Sequence, residues 1–256
     1  MTGAAAGEAA ALFFVVGLCV GSFLNVVIAR LPLGRSIVSP DSACPRCGRP
    51  IRWYDNVPVL SFLLLRGRCR QCGTAISWRY PAVELGTACL FVLAFLSRGP
   101  SLELPIALIL VSALVVVTGI DLDHEIIPDV VTLPGMAVGL LASLATGRPV
   151  WTDALIGLLA GGGVFFVIIV ASGGGMGGGD MKLGAMLGAF LGWKPMLVAV
   201  LAAVLAGGAV AIWLLALGRR GRKDAVPFGP FLALGGLIAL FWGERLIEWY
   251  LGVFLR

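Results

Sequence analysis

Charge is scarce in this chain of 256 residues: 13% are Asp, Glu, Lys or Arg, against 59% hydrophobic. Soluble domains carry about 25% charged and about 45–50% apolar residues, which excludes a soluble enzyme and a disordered chain. Histidine occurs once, and no Ser–His or metal-hydrolase pattern is present. No Lys or Arg precedes the first apolar run, so the basic n-region of a secretory signal is missing. The positive charges follow that run instead, at Arg30 and Arg35, and the segment is expected to stay as a transmembrane helix. No internal repeat is evident, and no dinucleotide-type glycine fingerprint follows a strand.

What the chain has is apolar length. Eight runs approach the roughly 17–25 residues a membrane-crossing helix needs. They cover about residues 11–29, 82–97, 104–120, 130–146, 154–172, 183–193, 196–217 and 230–247. An all-α polytopic membrane protein with about eight transmembrane helices is expected. The sixth run is too short for a straight span and reads as a half-helix, a local thinning of the bilayer, or a helix starting inside Gly173–Gly179. Three domains follow from the pattern: a first helix (1–30), a polar loop (31–81) and a helical core (82–256).

The basic residues set the orientation. With eight spans and the first loop cytoplasmic, fourteen of the nineteen Lys and Arg fall on the inside, including Arg219, Arg220, Arg222 and Lys223. That bias matches the positive-inside rule and puts residues 121–129 and 173–182 at the cytoplasmic face. The net charge of +5 is therefore topological, and no nucleic acid partner is expected.

Four of the six cysteines lie in the first loop, as Cys44-Pro-Arg-Cys47 and Cys69-Arg-Gln-Cys72. Two such knuckles suit one tetrahedral zinc, each pair bending back on the metal. A redox pair or free thiols are the alternatives; disulfides do not suit a reducing cytoplasm. Four thiolates leave no open position for water, so the zinc would be structural. Cys19 and Cys89 lie in apolar runs and read as buried thiols.

Two acidic clusters border the spans: Asp121, Asp123, Glu125 and Asp129 after the third, and Asp180 after the Gly-rich stretch. Ionisable groups at a span point to function, and the alternatives are solvated loop acids or helix caps. Asp129 follows Pro128 and reads as an N-cap; Asp123, His124 and Glu125 read as interfacial. Asp121 and Asp180 are harder to dismiss. Two neighbouring carboxylates can polarise one water, one as base and the other as the protonated partner. Gly177 and Gly179 before Asp180 would let a substrate backbone approach.

At these residues the sequence resembles the type IV prepilin peptidase family of bacterial inner-membrane aspartic proteases. The resemblance runs through Gly21–Pro32, the four-Cys loop with Asn56-Val-Pro58, Tyr80-Pro-Ala-Val-Glu84, Asp121-Leu-Asp-His124, Ile127-Pro-Asp129, Gly177–Asp180 and Val226-Pro-Phe-Gly-Pro230. It implies that the chain cuts the basic leader from prepilins or type II secretion pseudopilins at the cytoplasmic face. It implies Asp121 and Asp180 as the catalytic pair, with Gly177, Gly179 and Lys182 in the supporting loop. It further implies N-methylation of the new N-terminus from S-adenosylmethionine, with Gly67 and Glu84 at family positions. Arg68 stands where Lys is common. A basic loop facing a basic leader is an electrostatic mismatch with no account beyond topology.

Two further expectations follow. Asp121 ends a helix and Asp180 precedes one, so the helix dipoles favour Asp180 as the base and Asp121 as the protonated partner. The glycines at 161–163, 184, 188, 192, 207 and 208 read mostly as close helix packing, with a substrate groove as the alternative. Competing readings are a peptidase without methyl transfer and a non-enzymatic channel or assembly component, in which the two aspartates would be ion-path or structural groups.

Overall fold

The computed structural model describes residues 3–173, 176–217 and 227–254. The basic cluster Arg219, Arg220, Arg222 and Lys223, Val226 and two glycines of the 173–179 stretch lie outside the described residues. The described residues form helices with no strand, only two isolated β-bridges. The helices are α1 (Gly3–Arg30), α2 (Leu60–Leu64), α3 (Arg79–Arg98), α4 (Glu103–His124) and α5 (Asp129–Thr146). After them come α6 (Trp151–Ala171), α7 (Gly178–Leu191), α8 (Trp193–Ala216) and α9 (Gly229–Phe254).

Seven of these are long and apolar enough to cross a membrane: α1, α3, α4, α5, α6, α8 and α9. A multi-pass membrane protein follows, since a helix satisfies its own backbone groups where lipid offers no partner. Every expected run is a helix. The sixth, α7, has 14 residues and spans only about 21 Å at 1.5 Å per residue, short of the roughly 30 Å hydrocarbon core. Its run from Leu183 to Phe190 is buried without a break, as expected of a helix wrapped by protein rather than lipid.

Two compact units divide the chain, Met1–Leu104 and Pro105–Arg256. The boundary expected at residue 82 thus falls within the first unit, because α3 packs along α1. Positions four apart on α1 meet α3 in antiparallel order. Phe13 stacks on Phe95 with centroids 4.8 Å apart, and a Cβ at Gly17 would stand 2.5 Å from Ala88 Cα. One at Gly21 would stand 2.7 Å from Glu84 Cα, and Asn25 Nδ2 donates to the Tyr80 carbonyl at 3.1 Å. Small residues let the backbones approach this closely.

In the second unit the same device seats α7. Gly157 and Gly161 of α6 face Gly188 and Gly184 of α7, so a Cβ at Gly184 or Gly188 would overlap Phe165 or the Gly157 carbonyl. Gly139 of α5 sits against Ala189 and Phe190. Of the expected packing glycines, Gly161, Gly184 and Gly188 serve in this way, whereas Gly163 and Gly208 face open space. Cys19 and Cys89 are exposed on their helices, contrary to expectation; an apolar run says which residues tolerate lipid, not which face the protein.

Candidate active site and thiolate cluster

Asp121 lies in the last turn of α4 and is only 4% exposed. Asp180, 8% exposed, does not precede a helix but lies inside the first turn of α7. Gly177 is the N-cap there; its carbonyl accepts the Asp180 N–H at 3.1 Å, and its own N–H donates back to the Asp180 carboxylate. This is the acidic half of a capping box, which ties the carboxylate to the helix start. The structure brings the two aspartates within electrostatic reach of each other.

The residue that braces Asp121 comes from elsewhere. Gly229, the first residue of α9, donates its N–H to Asp121 Oδ2 at 2.9 Å. A Cβ at Gly229 would stand 2.6 Å from that oxygen and would have to displace the carboxyl group. Ile127 wedges between the two sides: it would meet a Cβ at Gly179 at 2.8 Å and one at Gly229 at 3.2 Å. Gly179 is thus pressed by the protein's own Ile127 rather than held open for a substrate backbone. Gly177 and Gly178 carry no such demand: an added Cβ meets nothing closer than 3.6 Å at the first and nothing within 4 Å at the second.

Asp129 is not an N-cap. It is the first residue of α5, whose cap is Pro128, and it makes no capping bond. Its carboxylate instead accepts Lys182 Nζ on both oxygens, at 2.6 and 2.7 Å. Lys182 follows Asp180 by two residues, so this ion pair ties the first turn of α7 to that of α5. Asp123, His124 and Glu125 are exposed, as interfacial residues should be.

In the first unit the four loop cysteines converge, their sulfur atoms all within 4.8 Å of one another. The two knuckles are built alike. Cys44 N–H donates to the Arg49 carbonyl and Gly48 N–H to that of Cys44; Cys69 N–H donates to Thr74 and Gly73 N–H to Cys69. Gly48 and Gly73 turn at φ 66° and 70°, a conformation glycine adopts without strain. Backbone N–H groups of Cys47 and Arg46 point at the Cys44 sulfur and lower its pKa, favouring the thiolate form that a metal requires. The Cys44–Cys72 sulfur separation is 3.8 Å. Tetrahedral zinc with Zn–S of about 2.3 Å needs an edge of about 3.8 Å, so the donor set fits that ion.

Glu84 is buried on α3. Its carboxylate accepts the Val59 N–H at 2.7 Å and the Ser22 hydroxyl, and it lines a cavity of about 480 Å³ with Asn25, Tyr80 and Phe62. Gly67 lies outside that cavity, in a shallower depression of about 420 Å³ that also includes Phe62. Its φ of 65° favours glycine, and an added Cβ would meet the Phe62 ring at 3.1 Å.

Sequence reading missed Gly229 as a donor, Ile127 as a wedge and the Asp129–Lys182 pair. The Pro-Phe-Gly-Pro segment was visible, but a backbone N–H leaves no residue-type signal.

Comparison with known proteins shows the family. Residues 15–98 match the bacterial peptidase A24 N-terminal domain, and residues 108–212 match the type IV leader peptidase family. A prepilin leader peptidase/N-methyltransferase of Myxococcus xanthus is 50% identical over 220 residues, covering 84% of this chain and 66% of that protein. One of Aeromonas salmonicida is 40% identical over 274 residues, covering 95% of this chain and 94% of its own. One of Bacillus subtilis is 36% identical over 240 residues, covering 94% and 97%. No solved structure matches the chain. With the Aeromonas and Bacillus relatives 36–40% identical and covered over nearly their whole length, the chain belongs to the type IV leader peptidase family.

Proposed function

We propose that this enzyme removes the basic leader of a type IV prepilin or pseudopilin at the cytoplasmic face of the bacterial inner membrane, and then methylates the new N-terminus. The observation that carries the cleavage reading is the pair of buried carboxylates, Asp121 and Asp180, each held by a backbone N–H. In this reading the Asp180 carboxylate takes a proton from a water held between the two groups, and the water oxygen attacks the scissile carbonyl. With Gly229 bonded to Oδ2, Asp121 carries its proton on Oδ1 and donates it to the carbonyl oxygen. Collapse of the resulting gem-diol breaks the C–N bond as the proton on Asp180 passes to the leaving amine and one hydroxyl proton returns to Asp121, restoring both carboxyl groups. Gly177, Gly179 and Lys182 support the reaction by fixing the first turn of α7.

For methyl transfer, the Glu84 cavity is the candidate site. Its volume of about 480 Å³ and buried carboxylate suit a cationic, nucleoside-sized donor. S-adenosylmethionine, when bound, supplies an electrophilic methyl group. Glu84 would face its positive charge and keep the Val59 segment in place, while Gly67 acts through Phe62, which lines the cavity. Cys44, Cys47, Cys69 and Cys72 would hold structural zinc.

The test is the intact mass of a prepilin incubated with the purified protein and S-adenosylmethionine. Leader loss is expected, abolished by Asp121→Asn and by Asp180→Asn, with an added methyl mass that Glu84→Gln removes. Cleavage surviving either aspartate substitution would overturn the dyad. A mature product without the methyl mass would leave a peptidase alone. Neutron density showing the shared proton on Asp180 in a substrate-analogue complex would reverse the assigned roles.

A further inference from the structure

The polar loop carries an outward apolar face that the two reactions leave unused. On α2, Leu60, Leu63 and Leu64 recur at the spacing of one helical face, and they are 53%, 60% and 73% exposed. The opposite side is pinned inward: Ser61 is buried, donating to the Tyr54 carbonyl at 2.9 Å and accepting the Val57 N–H at 3.0 Å. Val59 and Arg66, which bracket the helix, hold positive φ of 60° and 52°. Such conformations are costly for residues with a Cβ, most of all for β-branched valine, and persist only where the surroundings impose them. The leucine face is thus held outward by structure.

Its surroundings identify what it meets. Phe62 of α2 packs edge-on against Trp78, with centroids 4.7 Å apart. Trp78 immediately precedes the apolar helix α3 and is itself 73% exposed. The leucine face therefore sits beside the point where a membrane-crossing helix begins, and Trp is a residue enriched at membrane–water interfaces. Leu63, Trp78, Arg66 and Arg68 line the same shallow depression. Arg66 and Arg68 are exposed, and neither has a carboxylate partner among the described residues. Across residues 31–81 there are eight Arg and two Asp, and one of those, Asp55, is taken by Arg70.

We propose that the loop docks on the anionic lipid surface of the membrane its flanking helices cross. In this arrangement Leu60, Leu63 and Leu64 enter the acyl boundary, and Arg66 and Arg68 pair with lipid phosphates beside Trp78. Charge complementarity selects this occupant, because a basic leader peptide would be repelled by the same arginines. Each cation near an anionic surface adds about 1 kcal/mol of attraction, and the leucines add apolar burial. The mismatch between a basic loop and a basic leader is thereby resolved: the arginines serve lipid headgroups.

The test places a benzophenone amino acid at position 64 of the full-length protein, reconstituted in phosphatidylcholine vesicles containing one-third phosphatidylglycerol. After irradiation, intact mass identifies the adduct. A phospholipid adduct is expected, enriched in phosphatidylglycerol by at least about twofold over its share of the bilayer. The Arg66→Gln/Arg68→Gln variant should lose that enrichment. The same probe at Leu12, on the exposed face of α1, reports correct insertion of every variant. A lipid adduct at 12 with none at 64 would overturn the proposal, as would a protein–protein adduct at 64. An adduct at 64 without headgroup preference would overturn the role of the arginines.

Discussion

Gly229 donates its backbone N–H to Asp121 Oδ2 at 2.9 Å across 108 positions of sequence. The bond joins the end of α4 to the start of α9, and it leaves the other Asp121 oxygen open to whatever stands between the two carboxylates. A helix N-terminus offers free N–H groups as a matter of course; here the first of them is spent on a carboxyl group. The absence of a side chain at Gly229 is what permits the contact.

Gly229→Ala should therefore slow cleavage without unfolding the protein. Its Cβ, 2.6 Å from Oδ2, would displace the carboxyl group and lengthen the bond. With Asp121 protonated, as proposed, the bond contributes about 0.5–1.5 kcal/mol, so kcat/KM for leader removal should fall about 2–10-fold. Cleavage kinetics beside an unchanged thermal transition would check this.

The Asp129–Lys182 pair makes a gentler prediction. Both groups are partly exposed, so neutralising either should cost about 0.2–1 kcal/mol and slow cleavage by about 2–5-fold. The swapped variant Asp129→Lys/Lys182→Asp should recover most of that loss if the pair orients the first turn of α7. Failure of the swap beside mild single effects would show that Lys182 acts through something other than Asp129.

The loop should also carry a pH signature. Arg70 donates from Nε and Nη2 to the Asp55 carboxylate at 2.6–2.9 Å, and these bonds hold its pKa below the usual value. A depressed carboxylate stabilises the fold fully above its unfolded value of about 3.9, and that contribution is lost as pH falls through the lower folded value. Stability of the loop should therefore stay flat on this account from pH 7 to about 5 and fall in stronger acid. Arg70→Gln should remove that acid dependence, which hydrogen exchange of the loop amides would read.

Packing of α7 gives a sharper contrast. Gly188→Val would drive its side chain into the Gly157 backbone, which cannot yield as a side chain would. A loss of about 3 kcal/mol or more is expected, enough to reduce the yield of folded protein. Gly163→Ala, which faces open space, should be tolerated and even gain from helix propensity. Thermal unfolding in detergent separates the two.

The helical segments, the converging cysteines and the two buried aspartates were legible because each has a residue-type signature: apolar length, paired thiols at fixed spacing, acids beside a span. The outward placement of Cys19 and Cys89 was not. In lipid both faces of a helix are apolar, so hydrophobicity loses the inside–outside information it carries in water. Asp129 illustrates a second limit, since an acid after Pro128 is compatible with a cap, but its choice of Lys182 depends on two helix starts meeting in space. Gly229 illustrates a third, because its contribution is a main-chain group common to nearly every residue.

The burial of α7 has a consequence for how the enzyme is calibrated. A residue borne on a lipid-facing span takes its depth from the bilayer and shifts as acyl chains lengthen or shorten. Asp180 rides on a helix from which lipid is largely screened, seated glycine-to-glycine on α6 and by Gly139 of α5. Its height is referenced to neighbouring helices, so in the proposed mechanism the reacting depth is written into the protein and travels with it between membranes of different thickness.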